Sequence, residues 1–113
     1  MKFKEKSPPR EFKIGFENQI TIKDCGTVLL KIDEQLTFVT EDRKEYDVAR
    51  KNWGFYATPS MNGRLKKFGF KTALVKNSHG MYYIMLVEKN RINEFQNYLK
   101  EEKQSIEQWR DEK

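Results

Sequence analysis

Apolar and polar residues alternate from Phe12 through Ile14 to Phe16, and again from Ile20 to Ile22, the two-residue period of a strand with one buried face. Asn18 between them predicts a turn or kink. Asp24-Cys25-Gly26-Thr27 has the composition of a tight turn, with Gly26 free to take a positive φ. Residues 28–32, 36–40 and 45–48 read as further strands, separated by short polar connections at 33–35 and 41–44. Residues 70–76 and 81–88 carry large apolar side chains on both faces and flank Asn77-Ser78-His79-Gly80, a hairpin connection. A strand that is apolar on both sides is central in its sheet or covered by a helix.

Two helices follow from the pattern. Ser60 is placed to cap a short helix near 60–68 that Gly69 ends in the left-handed conformation. From Asn90, the expected cap, Ile92, Phe95, Leu99, Ile106 and Trp109 recur at spacings of three, four, seven and three, predicting a C-terminal helix over 90–110 that packs on the sheet. The expected class is α+β. The architecture is a strongly twisted antiparallel sheet, or a partly open barrel, of about six to seven short strands with these two helices. In element order alone the chain resembles pleckstrin-homology-like barrels. Residues 1–10, with Lys2, Lys4, Lys6 and Arg10 around Pro8-Pro9, are expected as a flexible basic tail ahead of a single domain over 11–113.

Composition narrows the function classes. One Cys and one His among 113 residues supply neither an internal disulfide nor a metal motif, so no metal and no cofactor is implied. Asp24 beside Cys25 disfavours a thiolate, and Asp24, Asp33, Glu34, Glu41, Asp42, Glu45 and Asp47 fall at predicted turns or strand ends where acids are solvated, so no catalytic residue is assigned and the reading leans away from an enzyme. Gly54, Gly63 and Gly69 match neither phosphate-loop spacing. No apolar run reaches membrane-spanning length, no secretory signal is visible, and a cytoplasmic bacterial protein with no membrane partner is expected.

Charge adds the one positive indication. From Val48 to Val87 there is no Asp or Glu, while Arg50, Lys51, Arg64, Lys66, Lys67, Lys71 and Lys76 contribute seven cations to a chain whose formal excess is five. With Trp53, Tyr56 and the free amides expected after Ser60, they suggest a basic, aromatic-flanked surface. The candidate ligand-binding residues are Arg50, Lys51, Trp53, Tyr56, Ser60, Arg64, Lys66, Lys67 and Lys71. Phe55, Phe68 and Phe70 are expected in the core and Trp53 outside it. The function expected is a non-enzymatic module for an anionic partner, with nucleic acid the class that suits a pI near 9.3. The alternatives are a protein-interaction or homo-oligomeric subunit using Ile106 and Trp109 as exposed anchors, and a small sugar-handling enzyme or accessory protein.

Overall fold

Eight strands in three sheets and two helices make up residues 1–112, the part that the computed structural model describes. In chain order they are β1 (Lys2–Ile14), β2 (Ile20–Leu29), β3 (Gln35–Val39), β4 (Glu45–Lys51), β5 (Gly54–Ala57), α1 (Arg64–Lys67), β6 (Phe70–Lys76), β7 (Tyr82–Glu88), α2 (Ile92–Glu101) and β8 (Ser105–Trp109). The sheets run β1-β2, β3-β4-β5 and β7-β6-β8. The class is α+β, as the pattern predicts, but the strands do not close into a barrel. Contacts group the chain into two compact units, Met1–Leu36 with Val48–Tyr56, and Thr37–Asp47 with Ala57–Lys113.

In the first unit the residues expected as a loose tail belong to β1, paired antiparallel with β2 from Lys2↔Leu29 to Ile14↔Ile20. The ladder slips between Glu5↔Gly26 and Arg10↔Asp24, so that residues 6–9 of β1 face Cys25 alone. Prolines have no N–H to give a ladder, and the strand bulges where Pro8 and Pro9 fall. Asp24 ties the bulge through Lys6 Nζ at 2.5 Å and Arg10 Nε at 3.4 Å. The turn expected at 24–27 is therefore absent, and β2 runs straight through it. Gly26 serves a different purpose there, since a Cβ would lie 2.6 Å from the Lys4 carbonyl oxygen.

In the second unit β6 is central, with Ala73 and Val75 fully buried. Leu99 of α2 joins them, and Met85, Phe95, Tyr98, Ile106 and Trp109 pack around that nucleus. The 77–80 connection is the predicted hairpin: Asn77 Oδ1 accepts the N–H groups of His79 and Met81, both at 2.9 Å, and Gly80 takes φ +80°.

The helix predicted over 90–110 is shorter. Asn90 lies in a 3₁₀ turn, α2 begins at Ile92 without a side-chain cap, and Lys103 at φ +56° turns the chain into β8. β8 pairs with β6 through Val75↔Ile106 and Leu74↔Gln108, leaving Glu107 as an extra residue. That bulge puts Ile106 and Trp109, three positions apart, on one face of a strand. A bulged strand thus imitates helical spacing. The same packing removes both residues as exposed anchors, because they are half-buried against the core.

Leu99→Ala should lower the unfolding free energy by about 2–5 kcal/mol through lost burial and a residual cavity. Val39→Ala, at a position 56% exposed, should change it by less than about 0.5 kcal/mol. Urea denaturation followed by circular dichroism measures both.

Candidate functional site

The nine predicted binding residues divide between the units. Arg50, Lys51, Trp53 and Tyr56 belong to the first, Ser60, Arg64, Lys66, Lys67 and Lys71 to the second.

In the first unit the end of β4 and the start of β5 place a cluster of rings beside two cations. The Trp53 and Tyr56 rings lie 5.8 Å apart at an interplanar angle of 30°. Trp53 is 67% exposed, as expected, and Tyr56 is also exposed. Phe55, expected in the core, is 63% exposed, with the Arg50 guanidinium 5.7 Å from its centroid. Successive residues of a strand face opposite sides, so Phe55 and Tyr56 on a short β5 point apart, and neither is covered. Lys51 Nζ reaches Asp33 Oδ1 at 2.5 Å, a bond that holds its ammonium above the ordinary lysine pKa. Asp33 is exposed and Lys51 keeps about a third of its side chain open (35%), and pairs at the surface are worth about 0–1 kcal/mol.

In the second unit the cations have unequal duties. Arg64 Nη1 meets Asp47 Oδ2 at 2.8 Å, and Asp47 is only 4% exposed. The other Asp47 oxygen accepts from Thr37 Oγ1 at 2.5 Å, and Arg64 Nη2 donates to Thr58 Oγ1 at 3.3 Å. Lys71 Nζ lies 3.3 Å from Asp111 Oδ2, 2.9 Å from Glu112 Oε1 and 4.7 Å from the Trp109 centroid. The remaining Asp111 oxygen accepts the Thr72 N–H at 3.1 Å. Arg64 and Lys71 are therefore counter-ions of nearly sealed carboxylates. Removing either leaves a buried charge underpaired.

Among the described residues, Lys66 and Lys67 on α1 have no carboxylate within 4.0 Å, and the same holds for Arg110. Asn62, Lys66, Arg110, Asp111 and Glu112 line a cleft of about 500 Å³. Its two acids already bond to Lys71, which leaves Lys66 and Arg110 as its open charges. The hydrophobic pattern put Arg110 at the end of a helix, so it gave no sign that this residue follows β8 in a bent segment. Ser60 does not cap a helix: α1 is four residues long, and the N–H groups of Gly63 and Leu65 bond to the Ser60 carbonyl. The expected helix-dipole contribution is lost with it. Gly69 does end α1 as predicted, at φ +90° with its N–H on the Lys66 carbonyl.

Among the described residues no group of three or more His, Cys, Asp or Glu side chains is placed to hold a metal ion, and no helix is long and apolar enough to cross a membrane. Searches against family models, curated proteins and solved structures return no match.

Arg64→Ala should cost about 3 kcal/mol because Asp47 is left sealed and unpaired, while Lys51→Ala should cost under about 1 kcal/mol; denaturant midpoints compare the two. Asp111 gives a pH signature. Burial works to raise its pKa, but the Thr72 N–H, its own N–H and Lys71 together outweigh burial and hold it below the ordinary value. A depressed folded pKa stabilises above the unfolded value, about 3.9, and that stability is lost as pH falls through the folded value. The stability gap between the parent and Asp111→Asn should therefore be widest near neutrality and shrink below about pH 4, as read from thermal melts across pH.

Proposed function

We propose that the chain is a non-enzymatic binding module for single-stranded nucleic acid. In this reading the end of β4 and the start of β5 form the stacking surface. The exposed Trp53–Tyr56 ring pair carries the proposal. Rings left in water cost a small domain burial area that it needs, and here they lie beside Lys51, whose acid partner is loosely held. Nucleobases stack on such rings for about 1–3 kcal/mol each without regard to sequence, while adjacent cations take the phosphates. Duplex recognition would call for an element shaped to a groove, and the short β4–β5 turn is better suited to unpaired bases.

Of the predicted ligand residues, Lys51, Trp53 and Tyr56 keep that role in the proposal, while Arg50 lies against Phe55, which points to the other side of β5. Lys66 and Lys67, with Arg110, supply a second anionic contact on the other unit. Arg64 and Lys71 are assigned to stability, because Asp47 and Asp111, which they neutralise, are sealed from water. The formal charge of +5 favours association with a polyanion of either kind.

Fluorescence anisotropy with a labelled single-stranded oligonucleotide tests the reading. The affinity should fall with added salt, with a log–log slope of about −0.7 per phosphate neutralised. Trp53→Ala should weaken binding about 5- to 100-fold with the salt slope unchanged, as expected for a lost stack. Lys51→Ala should flatten the slope by roughly one phosphate's worth. Binding that ignores salt, or that survives Trp53→Ala intact, would overturn the proposal.

A further inference from the structure

Strand β7 is an edge of its sheet: among the described residues it pairs with β6 and with no other strand. An edge strand offers one row of backbone N–H and C=O groups to any strand that arrives. Natural edges are usually guarded by Lys, Pro or a bulge. This one has none of these. From Asn77 to Val87 there is no Asp, Glu, Lys, Arg or Pro, and β6 and β7 pair without a register shift from Phe70↔Glu88 to Lys76↔Tyr82.

The side chains along this edge are exposed as well. Met81, Tyr82, Tyr83 and Ile84 remain 58, 53, 45 and 61% open. The core takes Met85 from the odd-numbered face, leaving Ile84 and Tyr82 on the other. At the Phe70 end that second face is sealed, with Phe70 and Thr72 buried, and it opens toward Lys76.

We infer that β7 is a self-association edge, at which two copies of this chain join antiparallel strands across a two-fold axis. The chemistry favours an identical copy over a charged partner. From Tyr82 to Val87 the strand carries no charge, so it meets its own copy without like-charge repulsion and offers a charged protein little to pair with. The ends of the strand bring opposite charges toward each other, with Glu88 keeping its own partner Arg91 at 3.6 Å. In an antiparallel pair, the Glu88 end of one copy lies against the Tyr82 end of the other. There Lys76 Nζ already leans over the Tyr82 ring, 5.7 Å from its centroid. Half-open aromatic side chains leave about 100 Å² each to bury. Tyr82 and Tyr83, with the exposed Met81 and Ile84 and the paired backbones of two copies, add toward the roughly 1,000 Å² at which specific interfaces begin.

Sedimentation velocity on the full chain across a concentration series tests this edge. The parent should show a monomer–dimer equilibrium. Ile84→Lys, and independently Tyr82→Glu, should weaken it at least about tenfold, by burying a charge in the joint, while leaving the circular dichroism unchanged. Ile32→Lys, at an exposed apolar position on the other unit, should leave it intact. Hydrogen exchange should show amides of residues 82–88 gaining protection as concentration rises. A parent that stays monomeric throughout would overturn the inference. So would a dimer that survives both edge variants, or one that Ile32→Lys disrupts.

Discussion

Two carboxylates nearly sealed from water, Asp47 and Asp111, hold the second unit in its arrangement. Each comes from outside the forty-residue stretch that lacks acids, and each meets a cation from inside it. A charge taken out of water is tolerated only when a counter-charge and hydrogen bonds replace the lost solvation. Asp47 obtains these from Arg64 and Thr37, and Asp111 from Lys71 and the Thr72 amide. Through these bonds β4 is tied to α1, and the end of the chain is tied to β6. The apolar nucleus around Val75 and Leu99 supplies most of the driving force for folding. The ion pairs set which segments may close over it.

That constraint also sorts the basic residues. A run of cations without acids looks uniform in sequence, although burial makes its members unequal. Arg64 and Lys71 cannot leave their partners without exposing a buried charge. Lys51 can, since Asp33 is mostly in water. Lys66 has no acid partner among the described residues and faces a cleft in which the two acids are already engaged. Sequence alone marked where cations are dense, and the partners that decide their use lay far along the chain.

Much of the second unit was legible in local pattern. The hairpin at 77–80, the stop at Gly69 and the apolar face of Phe95 and Leu99 depend on residues within a few positions of one another. Three of the misreadings share one cause, long-range pairing. The bulge at Glu107 gave Ile106 and Trp109 a spacing that helices also produce, and only the register against β6 separates the two cases. Gly26 looked like a turn residue because the close passage of Lys4 cannot be seen from its neighbours. Pro8-Pro9 did disrupt pairing locally, but pairing resumes on either side, so residues expected as a tail form a strand. In the candidate site, exposure of Trp53 was legible from its polar, cationic surroundings, whereas exposure of Phe55 was not.

The two tryptophans make a built-in comparison. Trp53 stands in water on the first unit, and Trp109 packs beside Phe95 with ring centroids 6.1 Å apart in the second. Heteronuclear NMR resolves the two indole N–H signals, and titration with a short single-stranded oligonucleotide reads which ring meets a base. The stacking account predicts a progressive shift of the Trp53 signal with the Trp109 signal nearly still. A Trp53 signal that stays in place at saturating oligonucleotide would contradict it.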